Sequence, residues 1–153
     1  MILTEQMALV RRHQKAAPVD VVKIAGKLGL GVWTAHGWPE TLSGMIKPGK
    51  KGYDIFTNAN HSPQRRRYTI AHEIAHFMFH DFLIGDGIVD NHRYGSKLSW
   101  ANERIASNYA AEILMPDHLL EKALKAGDTD IARMAEVFDV SVNAMAIRIG
   151  VPY

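Results

Sequence analysis

The chain has 153 residues, of which 47% are apolar and 22% charged, with a net charge of +2 and no cysteine. That length fits one compact domain and not two, and the missing thiols exclude disulfides and thiolate zinc sites. No apolar run is long enough to span a bilayer, and the first twelve residues lack the uninterrupted apolar core of a secretion signal, so a cytoplasmic protein is expected. The clusters Arg65-Arg66-Arg67 and Lys47 to Lys51 read as solvated charge, since a net charge of +2 is too small to mark a nucleic-acid binder.

In chain order, a helix is expected around Thr4 to Lys15. A second runs over Pro18 to Leu30, with Pro in its first turn and Gly29 or Gly31 as its stop. Gly31 to Ala35, Leu42 to Lys47 and Gly52 to Asn58 are short segments flanked by Gly, Pro and Asn. The last two form a hairpin around Pro48-Gly49-Lys50-Lys51-Gly52. Ser62-Pro63 supplies a capping hydroxyl and a proline at the first helical position, and nothing interrupts the helical pattern from Gln64 to His80. Residues 81 to 98, rich in Gly, Asp and Asn, read as a loop. Ser99 then caps a helix from Trp100 to Met115, stopped by Pro116. The tail adds Pro116 to Lys125, Ile131 to Phe138 and Val142 to Ile149 as helices.

The helix over Gln64 to His80 carries His72-Glu73-Ile74-Ala75-His76, the H-E-x-x-H pattern of zinc peptidases. Two imidazoles four residues apart stand one above the other on a single helical face, about one turn of roughly 5.4 Å apart, so both can reach one ion. Glu73, on the adjoining strip, can act as general base and then acid on a metal-bound water. A catalytic zinc needs a third protein ligand. His80 continues the same face but lies about 12 Å along a continuous helix from His72, too far to share an ion. Carboxylates on the next helix remain: Glu103 and Glu112 are nine residues apart, hence on opposite faces at about 100° per residue, and spacing does not choose between them. Asp81, Asp86, Asp90 and His92 are weaker alternatives on loop-like sequence.

Ser107 and Asn108 are placed to orient a ligating imidazole through its far nitrogen, as is His80. Candidate donors to a developing oxyanion are Tyr68, one turn before His72, together with His80, His92 and Tyr94. Tyr68 is read first as a core aromatic with its hydroxyl at the rim. His13, His36, His61 and His118 read as ordinary histidines without a role at the site. The fold expected is α+β: a small antiparallel sheet of about three strands, a zincin-like helical core and a C-terminal helical hairpin. All of it forms one peptidase domain over residues 1–153, with 116–153 as its helical C-terminal part.

These residues together resemble the ImmA/IrrE family of metallo-endopeptidases. The resemblance rests on Pro18-Val-Asp-Val-Val with Leu28-Gly-Leu, on Ser43-Gly44, and on Arg65 through His80. Glu103-Arg-Ile-Ala106 and Tyr109-Ala-Ala-Glu-Ile-Leu-Met-Pro116 complete it. It implies one Zn2+ per chain held by His72, His76 and Glu103, with Glu112 left to the scaffold. Ser107 stands where Asn or Asp is commoner, and Tyr109 where Phe is usual. The implied substrate is a helix-turn-helix repressor of the XRE type, cut so that the genes it silences, often stress-response genes, are released. The alternative implied partner is an antitoxin-like helix-turn-helix protein that restrains the chain in a complex.

A reading of a different class comes from residues 131 to 149, whose helix, Asp-Val-Ser turn and helix imitate a DNA-reading helix-turn-helix. The second helix offers only Asn143 and Arg148 to bases or phosphates, so a packing hairpin is the preferred reading.

Overall fold

A computed structural model describes residues 1–91 and 98–151. The helices are α1 (Leu3–Arg12), α2 (Val21–Lys27), α3 (Pro63–Ile84), α4 (Trp100–Leu114), α5 (Asp117–Lys125), α6 (Ile131–Phe138) and α7 (Val142–Ile149). The strands are β1 (Gly31–Ala35), β2 (Leu42–Gly49), β3 (Gly52–Asn58) and β4 (Ile88–Asn91). The architecture is α+β, as the sequence implies.

The sheet departs from three antiparallel strands in two respects. Among the described residues it has four strands in the order β1-β3-β2-β4, and β1 runs parallel to β3. The β2–β3 hairpin forms as expected, Gly49 opposite Gly52, but the chain leaving β1 crosses to the far side of β3 before starting β2. Asn58, completely buried, ties that crossing segment down by donating its side-chain amide to the carbonyls of Pro39 and Leu42. The fourth strand, β4, lies inside the stretch expected to be loop. Its Ile88 is fully buried beside Ile46 of β2, and this burial with backbone pairing outweighs the turn-forming residues around it.

Local chemistry explains most helix boundaries. Ser62, Ser99 and Ser141 accept hydrogen bonds from the backbone N–H groups of Arg65, Asn102 and Ala144, and Asp20 and Asp130 do the same for α2 and α6. The Asp20 cap starts α2 at Val21 and leaves Pro18 ahead of the helix. α3 runs past His80 to Ile84, with a kink where His80 takes non-helical angles.

α3 is the centre of the molecule. Its Ile70, Ala71 and Ile74 belong to the same buried cluster as Ile46, Ile55 and Ile88 of the sheet and Ala110, Ile113 and Leu114 of α4. A helix enclosed on several sides loses the simple two-faced pattern, so the polar residues it also buries must have a local reason to be there. Met134, Phe138 and Met145 carry the core into the C-terminal hairpin. Among the described residues no helix is long and apolar enough to cross a membrane.

Candidate metal centre

His72, Glu73 and His76 are all buried on α3. Their helical spacing brings the two Nε2 atoms within 3.0 Å of each other. The Ser99 cap starts α4 so that Glu103 falls in its first turn, and α4 crosses α3 with this residue over the two imidazoles. Glu103 Oε2 stands 3.3 Å from His72 Nε2, and Oε1 stands 3.0 Å from His76 Nε2. The ligand atoms of these three side chains all lie within 4.8 Å of one another. Two imidazole nitrogens and a carboxylate brought this close together match the donor set of a catalytic zinc site.

A family model described as the IrrE N-terminal-like domain, a peptidase family numbered M78, matches residues 30–150. The chain belongs to this IrrE-like family. No protein of curated function matches it. Among solved structures, a Mycobacterium tuberculosis transcriptional regulator shares the fold at 16% identity with a TM-score of 0.64, over 95% of this chain and 46% of the other. The IrrE-like chain therefore spans about half the length of that structural neighbour.

The surroundings of the three side chains set their charge states. Burial pushes the Glu103 carboxyl up, but the two imidazoles beside it together outweigh that and hold it well below the usual carboxylate range. Burial disfavours the His72 cation, yet its hydrogen bond to Glu103 and the charges of Glu73 and Asp90 overcome this, so its pKa is raised. Glu73 differs. Among the described residues neither of its buried oxygens has a hydrogen-bond partner, and in the metal-free chain burial lifts its pKa to about 8. An enclosed carboxyl without a partner is costly to a fold, and this one lies on the motif helix next to the histidine pair.

The wall facing Glu73 is built from glycine. A Cβ on Gly44 of β2 would collide with the Thr69 methyl and come within 3.4 Å of Glu73 Oε1, so only glycine lets the strand pass this close to α3. Gly44 pairs with Asp90 of β4 next to an irregularity in the register. Directly opposed residues share a face of the sheet, so Asp90 points to the same side as the Glu73 carboxyl. Asp90 was weighed in the sequence only as an alternative ligand; here it joins the acidic rim and not the converging trio.

The groups expected to orient the imidazoles separate cleanly. Ser107 Oγ lies 3.4 Å from His72 Nδ1, and His80 Nδ1 lies 3.1 Å from His76 Nδ1, so each histidine is held from behind. The kink at His80 accompanies that contact. Asn108 is exposed, and among the described residues no hydrogen bond joins it to either imidazole. Glu112 is exposed too, on the far face of α4, as the helical geometry requires. Tyr68 stacks beside His72 with ring centroids 6.4 Å apart and donates its hydroxyl to the Ser107 carbonyl at 3.3 Å. Burial raises its pKa, so it stays a neutral donor. His92 and Tyr94 lie outside the described residues.

The other histidines have local partners. His13 Nδ1 bonds the Leu9 carbonyl, His61 Nε2 the Glu40 carbonyl and His118 Nε2 the Gln14 carbonyl, while His36 is exposed. One member of the basic cluster that the sequence reads as solvated charge is instead largely buried and bonded. Arg67, on α3 one position before Tyr68, donates to the carbonyls of Val19, Phe138 and Asp139 and pairs with the Asp139 carboxylate at 3.3 Å. It fastens the C-terminal hairpin to the motif helix. Its signal was present but ambiguous, as the last member of a run of three arginines.

Proposed function

We propose that this chain is a zinc-dependent endopeptidase of the cytoplasm, with residues 1–153 acting as one peptidase domain. The substrate class we propose is an intracellular helix-turn-helix repressor of the XRE type, which the sequence resemblance implies. The observation that carries the enzyme reading is the convergence of His72, His76 and Glu103 beside Glu73, a buried carboxyl without a partner among the described residues. His72, His76 and Glu103 would hold one zinc ion. When bound, zinc polarises the scissile carbonyl and lowers the pKa of its water towards about 7.

The protein's own groups supply the rest. Glu73, buried on the motif helix beside the ligand trio, would accept the proton of the attacking water and return it to the departing amine. Ser107 and His80 fix the orientation of the two imidazoles from behind. Tyr68, neutral and stacked on His72, needs only to release the Ser107 carbonyl to offer its hydroxyl to negative charge developing on the substrate oxygen.

The test is incubation of the zinc-reconstituted chain, and of its Glu73→Gln variant, with XRE-type helix-turn-helix repressors from the same genome, followed by mass spectrometry. One new pair of fragments with the parent and none with Glu73→Gln is expected. An intact partner in a stable complex with both proteins would favour the antitoxin-like arrangement, and equal cleavage by both would dismiss Glu73 as the base.

A further inference from the structure

A groove opens beside the metal centre, between the N-terminal half of α3, the middle of α4 and the start of α7, with a volume of about 580 Å³. It adjoins the site, because Tyr68 and Ser107, which lie against His72, are also among the residues that line it. Ala111 of α4, Met115 just after it, and Ala144 and Ile147 of α7 give it apolar walls. Ile147 is 70% exposed, a large apolar residue on a groove wall that none of the described residues covers.

The groove is held open by fixed contacts. Gln64 and Arg67 of α3 bond Asp139 in the turn before α7. From the other side Arg148 of α7 donates to the Met115 carbonyl at 3.0 Å and to Asp117 at 2.8 Å. A cavity walled by such clamps is preorganised, and small apolar hollows beside a catalytic centre bind side chains well for that reason.

We infer that this groove is the specificity site: it receives an apolar side chain of the polypeptide flanking the scissile bond, with Ile147 and Ala144 as the residues that read it. The inference rests on the peptidase reading above. The same observations disfavour nucleic acid. The two arginines on the groove, Arg65 and Arg148, already face acidic partners, Glu40 at 3.3 Å and Asp117 at 2.8 Å, and a phosphate-reading surface needs uncommitted cations. The α6–α7 pair, which imitates a DNA reader in the sequence, would thus present its second helix to a peptide.

The test uses the zinc-loaded Glu73→Gln chain, which binds without cutting, on an array of random-sequence 12-residue peptides. Ala144→Trp fills the hollow, and Ile147→Asp places a charge on its exposed wall without burying anything new. Bound peptides should share an apolar residue at one position, and each substitution should weaken them at least tenfold while zinc content stays at one per chain. Unchanged binding by Ile147→Asp, an array with no bound peptide, or binding of duplex DNA that the same substitution abolishes would each overturn the inference. Groove-dependent binding without cleavage by the parent chain would retain the groove and reject the hydrolytic reading instead.

Discussion

The Glu103 carboxylate on α4 stands 3.0 Å from His76 Nε2 on α3, and its second oxygen reaches His72, so the interface between two helices is also the place where three ligand atoms meet. Because Glu103 belongs to a different element from the histidines, its removal should damage the ion without unfolding the motif helix. Glu103→Ala should retain its helical circular dichroism and lose zinc affinity by at least about 100-fold, the upper range for disturbing residues that support a metal site. Zinc competition with a chromophoric chelator measures it. Affinity equal to the parent's would show that the carboxylate is not a ligand.

Glu73 makes an opposite prediction for stability. Its pKa in the folded, metal-free chain is raised to about 8 from an ordinary 4.5, so the fold favours the neutral carboxyl. The stabilisation of that neutral form is complete below pH 4.5 and is lost as pH rises towards 8. Glu73→Gln, which cannot ionise, should therefore gain on the parent across this interval, reaching on the order of a few kcal/mol at its upper end. Thermal melts of both metal-free proteins at several pH values check this. A constant difference in Tm would refute the buried-carboxyl account.

Gly44 is predicted to be intolerant of a methyl group. Gly44→Ala drives a Cβ into the Thr69 methyl and towards Glu73, and the strand must shift, at a cost of roughly 1–3 kcal/mol as for other overpacked sites. Urea unfolding would show a lower midpoint with an unchanged slope. Gly26, whose added Cβ would meet nothing within 4 Å, is the control that should tolerate alanine.

Arg67→Met should loosen the C-terminal hairpin. It keeps the length of the side chain but removes the donors to three carbonyls and the partner of Asp139. Leaving such groups unpaired costs about 2–4 kcal/mol, equivalent to roughly 5–15 °C in a chain of this size. Hydrogen exchange should rise first in α6 and α7, whereas uniform protection across the molecule would rule out this fastening role.

The candidate site was legible in the sequence where helical geometry alone decides. His72, Glu73 and His76 needed only the 3.6-residue period, and the same period kept His80 off the ligand atoms, where it now touches His76 from behind. Glu103 and Glu112 could be placed on opposite faces of α4, but which face meets α3 is a packing outcome and required the structure. The strands β1, β2 and β3 were visible from their flanking Gly, Pro and Asn. Their partners were not, because the crossing of β1 to β3 depends on Asn58 anchoring a segment far away in sequence. β4 was hidden by its Gly and Asp neighbours, since pairing with β2 and the burial of Ile88 are non-local. Gly44 stood out in the sequence only as part of a resemblance, and its contact with Glu73 gives the physical reason.

The most direct test of the metal centre is an anomalous difference map at the zinc edge from crystals of the zinc-reconstituted chain. A single strong peak is expected, bonded to Nε2 of His72, Nε2 of His76 and the carboxylate of Glu103. A peak placed elsewhere, or none at these residues in a fully reconstituted protein, would contradict the account.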